Sequence, residues 1–354
     1  MSRHNSYSLL RKIRYNLGRS RYLIDLTGRV ISGPLDEKEA ILVFGTPRSG
    51  TTWLMEILET LPDYKSIFEP FRKGWYPEVQ KLNIDTNRPY VYYKDPHPQL
   101  KEYLTKVFRG DVICRAPRYR FTLRIIYKRL FARKPLVKFT RANRLMPWIA
   151  NNFQVKGIFF IIRHPCATIA SQLETGIVGY LSNNKPFQEI MPSKEMVLSS
   201  ISRIRELRDN EELIRKLKTI ETQEEVLAAI WCIDNYIPLY YQRAFNWHTI
   251  VYESLVLNPE EELKKMFSYI NEKIPEEAYS KTRTPSFTTH ERKYVGTPKQ
   301  LVKWREKLSE KQIKNILKVV YWFGLDFYTE NPEPDYNACL LYTSDAADEL
   351  DGVD

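Results

Sequence analysis

The segment Gly45-Thr46-Pro47-Arg48-Ser49-Gly50-Thr51-Thr52 combines two glycines, one cation and four hydroxyls. It follows the apolar run Ala40–Phe44 and opens a pattern that predicts a helix through Leu61, ended by Pro62. Strand, glycine loop, helix is the setting of a phosphate-binding loop. The glycines let backbone N–H groups converge on an anion, and the helix N-terminus adds its dipole. A nucleoside-triphosphate loop reads Gly-x-x-x-x-Gly-Lys-Ser/Thr. Here Thr51 stands where that lysine belongs, and the cation has moved inside the loop to Arg48. A magnesium-using enzyme of this kind also wants an Asp after a later run of four apolar residues. In this chain Phe159-Phe160-Ile161-Ile162 is followed by Arg163. An arginine there repels a metal and invites a second phosphate, and an unpaired buried guanidinium is too costly to be idle. The two features together predict a nucleotide carrying phosphate groups at two places, bound without Mg²⁺.

Gly-Thr-Pro-Arg-Ser-Gly-Thr-Thr-Trp (45–53) resembles the 5′-phosphosulfate loop of sulfotransferases that use 3′-phosphoadenosine 5′-phosphosulfate (PAPS). Arg163-His164-Pro165, with Ser171 eight residues after the arginine, resembles that family's 3′-phosphate site. Val251-Tyr252-Glu253-Ser254-Leu255 with Asn258-Pro259-Glu260-Glu261 resembles its late strand–helix junction, and Lys303-Trp304-Arg305 its C-terminal segment near the nucleotide. The resemblance spans about residues 40–328 and is closest to the bacterial and carbohydrate-type members. It implies that Arg48, Ser49, Gly50, Thr51 and Thr52 hold the 5′ end, that Trp53 lies against the adenine, and that Arg163 and Ser171 clamp the 3′-phosphate. Trp53 as a core aromatic and Ser171 as a helix-surface hydroxyl are the plainer alternatives.

Sulfuryl transfer, like phosphoryl transfer, is loose and in line, with charge growing on the leaving oxygen. It needs cations near that oxygen and a base near the acceptor. Arg48 is the candidate for the leaving oxygen, with Lys138 as its helper. Aryl and steroid members of the family place a His two residues after the lysine matching Lys138, where this chain has Thr140. Carbohydrate-type members place a Glu soon after the loop helix, which Phe68-Glu69-Pro70-Phe71 resembles, so Glu69 is the expected base. His97 is the reserve. Arg141 is read as either a contact to an acidic or sugar acceptor or a structural ion pair, and Glu253 as support for the nucleotide site. Arg292-Lys293 with Gly296 faintly resembles a basic phosphate contact of the cytosolic members. The expected acceptor is a hydroxyl of a carbohydrate or small molecule.

These residues need a parallel sheet to bring them together. Apolar runs at Ala40–Phe44, Leu136–Phe139, Gly157–Ile162 and His248–Tyr252 alternate with helical patterns. That predicts an α/β, three-layer, P-loop-type fold with helices on both faces of a central parallel sheet, and ligands at the carboxyl ends of the strands. Helices are expected around Arg144–Phe153, from Pro165, over two or three stretches of 195–245 with a capping box at Thr222–Glu225, from Pro259, and from Ser309 to near Gly324. Residues 63–134 show no clean period and are expected to be an insertion lining the acceptor side, together with 176–220.

The chain divides into a basic N-terminal segment (1–35), a sulfotransferase-like domain (36–330) and a tail (339–354). Leu9, Ile13 and Leu17, then Leu23, Leu26 and Val30, recur at helical spacing. Packing of that helix on the main domain is the simpler expectation; a peripheral membrane contact through its Arg-rich face is the other. The tail resembles the translation of a transposase adapter used in sequencing-library preparation and is read as a non-native, disordered addition. Net charge is +11 overall, and about +16 for residues 1–338, since the tail holds five acids and no base. So basic a body attracts anions: nucleic acid, acidic lipid or a phosphate-rich ligand. Zinc-finger, RNA-binding and helix-turn-helix patterns are missing, so nucleic acid is not the expected partner. The four cysteines are too scattered for a zinc knuckle or redox pair and are expected to be reduced thiols. The N-terminus lacks the basic-then-apolar order of a secretory signal, which favours the cytoplasm. A P-loop kinase or ATPase, or a non-catalytic nucleotide- or nucleic-acid-binding protein, are the competing classes.

Overall fold

The computed structural model describes residues 23–338, apart from 74, 83, 86, 113–121, 176–179, 182–188 and 288–296. The acidic tail and the Arg292, Lys293 and Gly296 positions lie outside the described residues. Five strands form one all-parallel sheet: β1 (Ile41–Phe44), β2 (Tyr64–Phe68), β3 (Lys134–Phe139), β4 (Gly157–Ile162) and β7 (His248–Val251), in the order β2-β3-β1-β4-β7. β5 (Tyr180–Leu181) and β6 (Glu189–Ile190) make a separate antiparallel ribbon. Every residue of β1 and β4 is buried, as expected of central strands covered on both faces. The chain leaves β1 toward the β2 edge and leaves β4 toward the β7 edge. A crevice therefore opens between the carboxyl ends of β1 and β4, the topological switch point at which such sheets bind ligands.

The helices of the main domain include α1 (Thr51–Leu58), α2 (Pro98–Phe108), α3 (Leu123–Phe131), α4 (Met146–Asn152), α5 (Pro165–Thr175), α6 (Gln223–Tyr240), α7 (Tyr252–Leu257) and α8 (Glu310–Trp322). The capping box at Thr222 starts α6 and a second, Ser309 with Gln312, starts α8. Gly324, with φ of +69°, turns the chain after α8. α6 carries the central buried face, and α5 and α8 pack against it.

Residues 63–134 are more regular than their composition predicts. β2 is a sheet edge whose five residues are all buried, Lys65 included. α2 buries Leu100, Tyr103, Leu104, Val107 and Phe108, a clean helical period. His97 caps this helix, its Nδ1 accepting from the Leu100 amide at 3.2 Å.

The N-terminal helix, residues 23–32, does pack on the main domain, but with the opposite face to the one its apolar spacing predicts. Asp25 is buried against Arg129 (2.5 Å) and Lys65 (3.4 Å), Gly28 lies on the Arg129 backbone, and Ser32 donates to the Leu130 carbonyl (2.6 Å). Leu23, Leu26 and Val30 point outward.

Candidate functional site

The 45–50 loop leaves β1 and turns at once. Its first N–H, Gly45, donates to Asn143 Oδ1 at 3.1 Å, and the Ser49 amide and hydroxyl both donate to the Thr46 carbonyl (3.1 and 2.7 Å). Gly45 has no room for a side chain, since a Cβ would lie 2.6 Å from Ser49 Oγ and 2.7 Å from the Ile161 carbonyl. Gly50 sits at φ +100°, and a Cβ there would lie 2.7 Å from the Tyr252 ring. Arg48 takes φ +76°, unusual for a residue with a side chain. The result is a tight arc closed by the N-terminus of α1, whose first N–H groups have no partner inside the helix.

On the β4 side of the arc, two arginines meet. Arg163 directly follows β4, stacks over the Tyr252 ring at 4.3 Å and donates from Nη1 to the Arg48 carbonyl at 3.0 Å. Its Nε is buried and unpartnered. Arg48 Nε donates to Ser171 Oγ on α5 at 2.9 Å. Burial, then the nearby Arg163 cation, depresses the Arg48 guanidinium pKa, the strain expected where cations await an anion. Arg48, Arg163 and Ser171, far apart in sequence, are therefore one cluster. Thr46 Oγ1, at the mouth of the loop, is also buried without a partner.

The rest of the segment fixes this half. His164 Nδ1 accepts from the Cys166 amide (3.1 Å), so its proton sits on Nε2, which faces the Thr329 and Asn331 carbonyls (3.0 and 3.1 Å). Burial keeps the ring neutral, its pKa pushed down to about 4. Trp304 stacks on it at 4.8 Å. Glu253 accepts from the His164 amide (3.0 Å) and the Tyr328 hydroxyl (3.2 Å), and burial pushes its carboxyl up to about 7. Glu253 thus braces the Arg163 turn from behind.

On the β3 side stands a second cluster. Glu69 follows β2 directly; its amide continues the sheet ladder to the Lys138 carbonyl at 2.9 Å, at φ +54°. Its carboxylate is 4% exposed and meets Lys138 Nζ at 2.9 Å, Thr140 Oγ1 at 2.7 Å, the Thr140 amide at 3.1 Å and Arg141 at 3.8 Å. Burial alone would raise this carboxyl; the Lys138 and Arg141 cations and the hydrogen bonds outweigh it and hold Glu69 below the ordinary carboxylate range. Lys138 also donates to Thr52 Oγ1 at 3.2 Å. One hydrogen-bonded line thus runs from Glu69 through Lys138 to the first turn of α1.

Trp53 belongs to the core. It is 6% exposed, its indole donates to the Lys281 carbonyl at 2.9 Å, and it meets Tyr252 edge-on at 5.5 Å. His97 is engaged as a helix cap. Arg141 is a buried neighbour of Glu69. Thr140 has a larger place than its sequence suggested, as the residue that grips both carboxylate oxygens. Two further features lie outside the roles read from the sequence. Tyr252 links Gly50 and Arg163, with Gln300 donating to its hydroxyl. Asp234, inside α6, joins Arg144 (2.8 Å) and Arg88 in a buried ion cluster behind the 143–145 turn. Among the described residues no three His, Cys, Asp or Glu side chains converge as metal ligands, and Cys166 and Cys232 are free buried thiols.

No family model matches the chain, and no curated protein matches it in sequence. Solved structures do. The chain is similar to the sulfotransferase domain of the Synechococcus PCC 7002 olefin synthase, at 15% identity and a TM-score of 0.41, over 81% of this chain and 94% of that one. It is similar to the sulfotransferase domain of the curacin biosynthetic pathway, at 14% identity and a TM-score of 0.41, over 81% and 97%. It is also similar to a sulfotransferase from Mycobacterium avium, at 12% identity and a TM-score of 0.37, over 86% and 79%.

Proposed function

We propose that this chain is a sulfotransferase that moves a sulfuryl group from PAPS to a hydroxyl of a carbohydrate or small-molecule acceptor. The observation that carries this is the meeting of Arg48, Arg163 and Ser171 at the β1–β4 crevice, beside a loop too tight for any side chain at Gly45. The orphaned Arg163 Nε and Thr46 Oγ1 suit a ligand with two separate anionic groups. Arg163 and Ser171 take the 3′-phosphate, and Ser49, Gly50, Thr51 and Thr52 with the α1 N-terminus take the 5′ end.

In the reaction the acceptor oxygen bonds to sulfur as the bond from sulfur to the 5′-phosphate oxygen breaks. Glu69 accepts the acceptor's proton, and Arg48 and Lys138 meet the charge on the leaving oxygen. A carboxylate locked to an ammonium is a weak base. Lys138 lies between Glu69 and Thr52, so a donor at the loop competes for the ammonium and leaves Glu69 more basic. The base then gains strength only with donor present.

Calorimetry with adenosine 3′,5′-bisphosphate in EDTA tests the nucleotide half, and labelled donor with an acceptor panel tests transfer. Binding of the bisphosphate without Mg²⁺ is expected. Binding of ATP·Mg²⁺ with none of the bisphosphate would sink the proposal in favour of a P-loop kinase or ATPase.

A further inference from the structure

Among the described residues ten large apolar side chains stand exposed, and seven of them lie on two touching helices. Leu23, Leu26, Val30 and Ile31 belong to the N-terminal helix, and Leu123, Tyr127 and Phe131 to α3. The spacings i, i+3, i+7 and i, i+4, i+8 each make one stripe. These stripes face away from the protein: Val30 is 80% exposed and Leu123 87%. The helices meet instead through their polar and small side, where Asp25 holds Arg129, Gly28 lies on the Arg129 backbone and Ser32 bonds to the Leu130 carbonyl. This reverses the usual orientation of an amphipathic surface helix, which turns its apolar face to the core. Single exposed apolar residues are ordinary, but a stripe of them on each of two touching helices marks a contact surface.

The occupant follows from charge. The 22 residues that lead into the N-terminal helix hold Arg3, Arg11, Lys12, Arg14, Arg19 and Arg21 and no acid. A second copy of the chain would set these cations against their own kind. An anionic bilayer takes both features at once, the apolar side chains at the acyl boundary and the cations among the headgroups. No helix among the described residues is long and apolar enough to cross a membrane, so the contact lies along the surface. We propose that the outer face of the N-terminal helix and α3 docks this protein on an anionic membrane surface. This differs from a contact through an Arg-rich helix face alone, because the apolar stripes carry the specificity of the site.

The test is co-sedimentation of the full chain with vesicles of phosphatidylcholine alone or mixed with phosphatidylserine, for the wild type and Val30→Glu/Leu123→Glu. The wild type should sediment with the serine-containing vesicles only, less so as salt rises, and the double variant should bind at least about tenfold more weakly. Both side chains are exposed, so an unchanged thermal midpoint and unchanged bisphosphate binding are expected of the variant; Leu123→Ser is the milder variant should the midpoint fall. Three results overturn the proposal. They are no binding to serine-containing vesicles at low salt, equal binding by the double variant, or a dimer in sedimentation velocity that the substitutions abolish while no vesicle is bound.

Discussion

Lys138→Met isolates the buried pair at the β2–β3 end of the site. Lys138 is 3% exposed and Glu69 4%, and they are 2.9 Å apart. Removing one partner of such a pair leaves the other charge in a site built for two, which costs about 3–5 kcal/mol. Thr140 and the more distant Arg141 still solvate Glu69, so the lower end of that range is expected. The cost has a definite pH dependence. In the wild type Glu69 is held below its unfolded value, so it adds stability above the ordinary carboxylate range, and that stability is lost as pH falls through the depressed value. In Lys138→Met burial is less opposed, so the carboxyl titrates higher. The penalty is then largest near neutral pH and shrinks as pH falls and the raised carboxyl takes up a proton. Urea unfolding at neutral and mildly acidic pH measures this. Glu69→Gln/Lys138→Met should be less destabilised than the sum of the single changes by at least about 1 kcal/mol. A penalty under about 1 kcal/mol, or one that does not move with pH, would refute the pairing and with it the idea that donor binding releases Glu69.

Arg48→Ala and Arg163→Ala should each weaken adenosine 3′,5′-bisphosphate by about 1.5–3 kcal/mol, the worth of a charge-assisted hydrogen bond, and unchanged calorimetric affinity would remove that residue from the site. Glu69→Gln should fold and bind the bisphosphate, yet lose turnover by about 100-fold or more in a labelled-donor assay. Gly50→Ala forces a Cβ to 2.7 Å from the Tyr252 ring at φ +100°, so its thermal midpoint and its bisphosphate affinity should both fall, by about 1–3 kcal/mol of stability. Glu253 has its carboxyl raised to about 7, so the stability it contributes is present below the unfolded carboxylate range and is lost as pH rises through about 7. Glu253→Gln keeps an oxygen for the His164 amide and should match or exceed wild-type stability near pH 8, the advantage vanishing below about pH 5 in urea titrations.

The parts of the site that sequence made visible are those with a local cause. The 45–50 loop announces itself because glycines, a preceding apolar strand and a following helix are adjacent in the chain. Arg163 is visible because a cation directly after Phe159–Ile162 breaks an apolar run. Glu69 was placed by resemblance, but the element that positions it was not. β2 reads Tyr-Lys-Ser-Ile-Phe, and a lysine and a serine in an edge strand erase the apolar run on which a strand is usually recognised. The lysine is tolerated because Asp25, from the N-terminal helix, meets it at 3.4 Å. That pairing joins residues 40 apart and leaves no trace in either segment. The period in α2 was present in the sequence and obscured only by the prolines and aromatics around it.

Periodicity also says that a helix has two faces without saying which is inside. Leu23, Leu26 and Val30 form the apolar face, yet Asp25, Gly28 and Ser32 are turned inward. What decides between the faces is α3. Its own inward side presents Arg129 and the Leu130 carbonyl, a cation and an acceptor that an apolar stripe would leave unpaired at a cost of a few kcal/mol. Asp25 and Ser32 satisfy both, and Gly28 allows the backbones to approach closely enough for them to do so. The apolar face is outside because the polar one has partners that it alone can serve. An exposed stripe held there by a buried ion pair is a fixed feature of the surface, which is what a docking face requires.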